Sequence, residues 1–466
     1  MAATLPLELL QLIGDSLKKE GVPLSPCTTV CRWWKEAFEP FIYSRVVVCS
    51  THANEKAPVS GIPIDVFEDI TSHAGAARRM MIRAIEYRVC VPYKHENWSG
   101  YMYSHYDPAK PFGRIMNQAF RSAIFEIFRV LSAWPRSSCL SFDVGIVGFR
   151  LVNEVNEPSS SHHSASMLPN IFYLDKIFFA GLCNPYDRLG DHQIYAEAIY
   201  DIVKHCPYLT ELRMNLGYPQ RPEELEYLRA RRLAVPRGST ILPRSLKVFH
   251  LRNETETPGR TVMPLLKVLT SEAQSVATTS RNSSASLRDL KLENTALMLD
   301  FLCPLNKEGQ PTLPVVYWPH LETISLHNVT CWTDEGNWLT LPTEEAEARI
   351  ATVQQWEQDH DHPDDSHPSQ PVTELEHFHR LFISMGLAVQ HMPRLSSIYF
   401  HPGAETELTF EFRVITGRYA IATWSSRPTY RPDHRVADAW GFSEEDLRHA
   451  ELGEVVYSVR FMAHMV

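Results

Sequence analysis

Imidazole and carboxylate side chains crowd one short run of this 466-residue chain: Asp359, His360, Asp361, His362, Asp364, Asp365 and His367. Both groups are good ligands for divalent metals. A single polar, proline-rich run fixes no coordination geometry, however, and no metal site is assigned to it. Nine cysteines stand at 27, 31, 49, 90, 139, 183, 206, 303 and 331. Thioester or redox chemistry needs a thiol activated by its surroundings, and none of the nine has a motif around it. Their scattered, odd-numbered distribution reads as reduced thiols in a cytoplasmic or nuclear protein. Cys27 and Cys31 have no second pair nearby, so structural zinc is not expected. The chain contains no GxxxxGK[ST], no GxGxxG opening a helix, no HExxH and no GxSxG. These absences leave no catalytic residue, cofactor or metal to nominate, and the expectation is a protein that is not an enzyme.

What the residues offer instead is apolar surface. Leu5 precedes and Leu7, Leu9, Leu10, Leu12, Ile13 and Leu17 follow Pro6, which suits a first helical turn. They spread over roughly 220° of a helix circumference at about 100° per residue. A helix facing one core needs a stripe only a little over ~100° wide. This first helix should therefore meet two bodies. Gly21 and Pro23 end it, Ser25-Pro26 opens a second short helix through Val30 and Cys31, and Trp34, Ala37, Phe38 and Phe41 mark one face of a third. Pro40 is expected to limit the third helix.

These residues resemble the F-box. The matching positions are Leu5, Pro6, Glu8, Leu9, Leu10, Ile13, Leu17, Leu24, Val30, Cys31, Arg32 and Trp34. The loop between the first two helices departs from the family: Lys18, Lys19, Glu20 and Gly21 precede Val22-Pro23-Leu24, where many members have a shorter acidic turn. The resemblance implies a docking module for the Skp-family adaptor of an SCF-type cullin ubiquitin ligase. It implies an adaptor-binding set of Leu5, Pro6, Leu9, Leu10, Ile13, Leu17, Leu24, Val30, Cys31 and Trp34. Through the adaptor, cullin and a RING protein would be partners. The alternative is a helical hairpin packed on its own domain.

Beyond the module, one phrase recurs, with apolar residues at offsets 0, 3 and 5. It begins at Leu174, Leu209, Leu246, Leu287, Leu321 and Leu395, at intervals of 35, 37, 41, 34 and 74 residues, and once earlier at Ile82. The last interval is about two periods, as though one copy had decayed. Residues 139–146 read as a further degenerate copy. Asn253, Asn294 and Asn328 follow at offset 7. Helix-like segments lie between, at 120–134, 194–205, 263–276 and 375–389. A strand and a helix repeating at a fixed period are the signature of a solenoid. The phrase resembles a degenerate leucine-rich repeat, longer than usual and with its Asn one place early. The alternative is an irregular α/β domain whose strands start alike. Alternation puts Leu212, Phe249, Leu290, Ile324 and Ile398, with Met214, Leu251, Leu292, Leu326 and Phe400, on one face. Arg213, His250, Lys291, Ser325 and Tyr399 then line the other, a mixed and partly basic row nominated for substrate contact.

The tail differs. Leu408 to Val414 alternates, Thr416-Gly417 turns, and Tyr419 to Thr423 alternates again, which is a hairpin. Residues 455–461 offer another strand, and 403–466 reads as a β-rich cover for an open sheet edge. The expected fold is thus α+β: a three-helix F-box at 1–48, a connector at 49–81, an irregular leucine-rich-repeat-like α/β domain at 82–402, and a cap at 403–466. Residues 159–166 and 358–371 are expected to be mobile. The net charge of −10 argues against nucleic acid or an anionic membrane as main partner. No signal peptide is read at the start, and no run of ~18 or more apolar residues suggests a span. The expected function is substrate recognition for the ligase, with an unknown protein substrate. The alternatives are a binding scaffold that uses the F-box without ubiquitination, and an enzyme whose site is assembled from distant loops.

Overall fold

The structure, a computed structural model, describes residues 5–50, 61–93, 111–135, 139–150, 168–179, 196–216, 242–253, 273–314, 316–332, 375–402, 408–416, 419–426, 430–453 and 455–462. The acidic–histidine run and the segments 159–166 and 358–371 lie outside the described residues. The chain forms two compact units. The first comprises 1–194 and 202–211; the second comprises 195–201 and 212–466. This boundary cuts the span 82–402 and leaves the proposed cap inside the second unit.

The first unit opens with α1 (Leu7–Lys19), a short 3-10 turn (Ser25–Thr29) and α2 (Arg32–Tyr43). The helix α2 runs on past Pro40. One lost backbone bond is tolerated there because Phe38 is buried, and Phe41 and Ile42 pack against the same cluster. The chain then enters β1 (Arg45–Cys49) directly. With β2 (Ile62–Pro63), β3 (Ala84–Tyr93), β4 (Leu140–Arg150) and β5 (Leu174–Phe179), the strand order is β2-β1-β3-β4-β5. All these pairings are parallel. Ile85, Tyr87 and Val89 alternate inward and are buried. They lie on the strand that packs against α4 (Pro111–Ser132), where the Tyr87 hydroxyl donates to the Ala123 carbonyl at 2.9 Å.

Residues 61–80, inside the span read as a connector, carry regular structure. Within them β2 pairs with β1, and α3 (Ile64–Thr71) and a 3-10 helix (His73–Met80) follow. Ile64 and Phe67 are buried, with Phe67 against Trp134 at 5.9 Å between ring centroids. Two core side chains fix this segment to the sheet unit.

In chain order, α5 (Ala196–Val203) follows β5. The second unit continues with β6 (Glu211–Asn215), β7 (Val248–Arg252), β8 (Asp289–Glu293), β10 (Thr323–His327), β12 (Ser397–His401), β13 (Thr409–Thr416), β14 (Tyr419–Ser425), β15 (Glu451–Leu452) and β16 (Val456–Met462), in the order β6-β7-β8-β10-β12-β13-β14-β16-β15. From β7 to β12 the strands are parallel; from β12 onward they are antiparallel. Two short strands, β9 (Ala296–Met298) and β11 (Thr330–Trp332), pair separately. Residues 273–282 are helical, and α6 (Leu375–Val389), α7 (His434–Trp440) and α8 (Glu444–Arg448) follow.

The repeated phrase aligns in space. Phe249, Leu290, Ile324 and Ile398 are register partners on successive strands, and so are Leu251, Leu292, Leu326 and Phe400. All eight are buried. The offset-7 asparagines now have a physical meaning. Asn294 and Asn328 take φ of 52° and 51°, a left-handed conformation that asparagine enters more readily than most residues. The chain turns there out of β8 and β10 and enters β9 and β11. Across the interval of 74 residues β10 pairs directly with β12, so no strand stands between these two in the sheet. The span read as a β-rich cap holds β13, β14, β15 and β16 and, in addition, α7 and α8. Asp433 caps α7 by accepting from the Val436 N–H, and Ser443 with Asp446 forms a capping box on α8.

Candidate functional site

Two surfaces deserve comparison with the sequence expectations. The first is on the N-terminal helices. Leu10, Leu24, Ala37 and Phe38 form a closed core, and Leu7, Leu17, Cys27, Trp34, Phe41 and Ile42 pack against it. Leu10 and Leu24 therefore belong inside the module and are corrected as contact residues: a side chain buried in its own core has no area left for a partner. Leu17 and Trp34 are half-buried, and Trp34 is stacked on Phe38 at 5.4 Å. Leu5, Pro6, Leu9, Ile13, Val30 and Cys31 remain exposed. Three exposed residues outside the expected set join them: Leu12 at 66 %, Trp33 at 52 % and Val22 at 41 %, with Val30 at 61 %. On α1 the exposed positions 9, 12 and 13 and the inward positions 7, 10, 14 and 17 follow two separate helical stripes. Trp33 was findable, since one residue before the inward-facing Trp34 is about 100° away around the helix.

The second surface is the polar face of β7, β8, β10 and β12. His250, Lys291, Ser325 and Tyr399 are register partners in one row. Arg213 is exposed on β6, the neighbouring strand in the order. The row's basic character is cancelled locally. The His250 ring contacts the Asp289 carboxylate at 2.8 Å, and the Thr323 hydroxyl donates to the same carboxylate at 2.6 Å. Lys291 meets Glu293 at 2.6 Å, and Arg252 reaches Glu293 at 3.3 Å. Burial pushes Asp289 up, but the bonds from His250 and Thr323 and the nearby positive charge outweigh it and hold the carboxyl low. The next row is Arg252, Glu293, His327 and His401. His327 stacks on Tyr399 at 4.5 Å, and the His401 Nδ1 lies 3.1 Å from the Asn328 side-chain oxygen. The face offers hydrogen bonds and an aromatic platform more than a net field.

An acid–base pair is the feature an assembled enzyme site would need. The nearest arrangement is Glu86 on β3 and Asp143 on β4, which are register partners. Burial raises Glu86, yet hydrogen bonds and charge from Arg88 and Arg45 hold it low overall. Burial, followed by the charge of Glu86, pushes Asp143 up. One Asp143 oxygen is buried without a hydrogen-bond partner. Environments that separate two carboxylates in this way resemble catalytic pairs. Here Glu86 already spends both oxygens on arginines, and no sequence motif announces the pair. Among the described residues no cluster of three or more potential metal ligands occurs, and no helix is long and apolar enough to cross a membrane.

Three histidines in the second unit titrate below their ordinary value of 6.5. Burial is the leading cause for His327, His379 and His401. His379 is also hydrogen-bonded to the Tyr430 hydroxyl at 2.8 Å and faces Asp433, Glu376 and Arg435. A lowered pKa means the unfolded chain takes up the proton first as pH falls. Stability is thus full above about 6.5 and declines from there toward the folded-state values. The melting temperature is expected to fall between pH 7.5 and 5.5, and His327→Gln with His401→Gln should flatten that slope. A slope unchanged in the double variant would place the effect elsewhere.

The sequence matches no protein-family model and no curated protein.

Proposed function

We propose that the chain is the substrate-recognition subunit of an SCF-type cullin ubiquitin ligase. The N-terminal helices are an F-box that docks a Skp-family adaptor, and cullin and a RING protein are reached through it. The parallel strands form an irregular leucine-rich-repeat-like solenoid whose polar face holds a protein substrate. The chain itself performs no chemistry; partners transfer ubiquitin onto a substrate held nearby.

The observation that carries this reading is the unused apolar face of the N-terminal module. Leu5, Leu9, Leu12, Ile13, Val30 and Trp33 stay exposed although the module's own core is complete. Contiguous exposed apolar patches mark interaction sites. The Leu-Pro opening and the Val-Cys-Arg-x-Trp closing of the motif support the choice of partner. The in-register buried rows and the two left-handed asparagines support the repeat.

Co-expression with a Skp-family adaptor should improve solubility and give a complex measurable by titration calorimetry. Trp33→Ala and Leu9→Asp should each weaken binding by about thirtyfold or more, the scale of an interface hot spot near 2 kcal/mol. Leu209→Ala, remote in sequence, should leave adaptor affinity unchanged. Absence of binding by the intact chain would refute the proposal. Adaptor binding without cullin in the purified complex would make the chain a scaffold instead.

A further inference from the structure

We propose that Arg78 is a positioning residue that locks the N-terminal helices to the sheet of the first unit. The inference rests on the docking role just proposed, and it concerns how that role is transmitted.

The three helices leave the sheet unit through one covalent joint, at Ser44 and Arg45. A single joint leaves rotation about backbone dihedrals. At this joint the Ser44 carbonyl accepts from the Arg83 and Ala84 N–H groups, both at 3.0 Å, and its hydroxyl accepts from Lys18 at 2.9 Å. A second, separate attachment comes from residues 62–80. This segment is seated on the sheet through the pairing of β2 with β1. Its α3 is held to α4 by a two-pronged pair, with the Arg129 guanidinium donating to both Glu68 oxygens at 2.7 and 2.6 Å. Arg79 adds a bond to the Ala133 carbonyl at 3.4 Å, and it also donates to the Thr71 carbonyl.

From that anchored segment, Arg78 reaches back to α2. One guanidinium nitrogen donates to Glu39 of α2 at 3.2 Å, another to the Ile70 carbonyl of α3 at 3.3 Å, and the plane lies 5.1 Å from the centre of the Tyr43 ring. Glu39 also faces Lys35, at 3.9 Å. The arginine is mostly buried at this point, with 26 % of its side chain exposed. A planar fork can satisfy two acceptors and a ring face together, which lysine cannot. Arg78 thus ties α2 to the segment 62–80 at one point, through Glu39 and Tyr43 on one side and Ile70 on the other.

For a subunit that works by holding its cargo at a fixed place, the orientation of this joint sets how the sheet of the first unit is presented to the docked adaptor. A misplacement of about 1 Å can cost roughly a hundredfold when rate depends on alignment. Thioester-to-isopeptide exchange itself belongs to the partner enzymes and needs nothing from Arg78.

The test uses the full chain with a Skp-family adaptor, as wild type, Arg78→Gln and Arg78→Lys. Nitroxide labels at Glu20→Cys and at the exposed Cys139, with Cys27, Cys31, Cys183 and Cys331 replaced by serine, report the distance between helices and sheet by pulsed electron resonance. The wild type should give one narrow distribution and Arg78→Gln a broad one, with Arg78→Lys between. Adaptor affinity of the unlabelled proteins should be unchanged. In a reconstituted ligase, transfer onto the chain's own lysines should slow about tenfold in Arg78→Gln. A distance distribution as narrow as the wild type's would overturn the inference. If Arg78→Gln fails to fold, Glu39→Gln cuts the same bridge from the other side and must broaden the distribution. A wild type that does not bind the adaptor would instead remove the docking role, while the distance measurement still decides the lock.

Discussion

Replacing Trp440 by alanine is expected to cost about 3–5 kcal/mol of stability, the range for a buried aromatic truncated to a methyl. Trp440 lies at the end of α7, almost fully buried, and its indole N–H donates to the Phe382 carbonyl of α6 at 2.9 Å. Its ring stands 5.4 Å from Phe410 and 5.5 Å from Phe412, both on β13, and 6.4 Å from Phe461 on β16. Across the contact is Gly386, where a β-carbon would stand 2.6 Å from the indole Cδ1. No side chain larger than hydrogen fits there while the tryptophan is present. Gly386→Ala should therefore destabilise by about 1–3 kcal/mol through overpacking. In the double variant the two costs should not add, because the methyl fills part of the space the indole vacated. Urea midpoints of the four proteins measure the cycle. Strict additivity, or a Trp440→Ala cost below about 1 kcal/mol, would mean that residues 403–466 are an appended cover. The structure predicts the opposite: α7 is part of the same core as α6 and the central strands.

That integration was only partly legible beforehand. The hairpin of β13 and β14 follows from alternation over 408–423, and α6 was bounded by its apolar spacing. The helices α7 and α8 carry end signals rather than a long apolar period: Asp433 before α7, Gly441 after it, and Ser443 three residues ahead of Asp446. On α1 the period assigns residues to two stripes but does not say which stripe the chain covers itself. Both are apolar, so Leu10 and Leu9 look alike until α2 is in place. Segment 62–80 hid for another reason. Its contributions to the core are Ile64 and Phe67, and the rest of its hold is polar, through Glu68, Arg78 and Arg79. Polar bridges between residues tens of positions apart leave no periodicity to read. The pairing of Glu86 with Asp143 is equally silent, since it depends on the register of β3 and β4.

The strongest sequence inference concerned the strands, and it supports the sharpest contrast between neighbours. Leu292→Ala is expected to cost about 2–5 kcal/mol, whereas Lys291→Ala should cost within about 0.5 kcal/mol. Leu292 has 0 % of its surface exposed and lies between Leu251 on β7 and Leu326 on β10. Deleting its three outer carbons leaves a cavity walled by two strands that are themselves hydrogen-bonded on both sides, so the walls have little freedom to collapse inward. Lys291, one residue away, points to the opposite face with 39 % of its side chain exposed, and its partner Glu293 retains Arg252 when the lysine is gone. A pair with its lysine this open to solvent is worth little to stability. The two variants thus separate a packing role from a surface role within a single strand. Equal losses would show that the polar face is itself covered and closed, which would remove His250, Lys291, Ser325 and Tyr399 as contact residues for a substrate. With the loss confined to Leu292, Lys291→Ala becomes the clean variant for substrate capture, because any partner lost from it is lost from the surface and not from the fold.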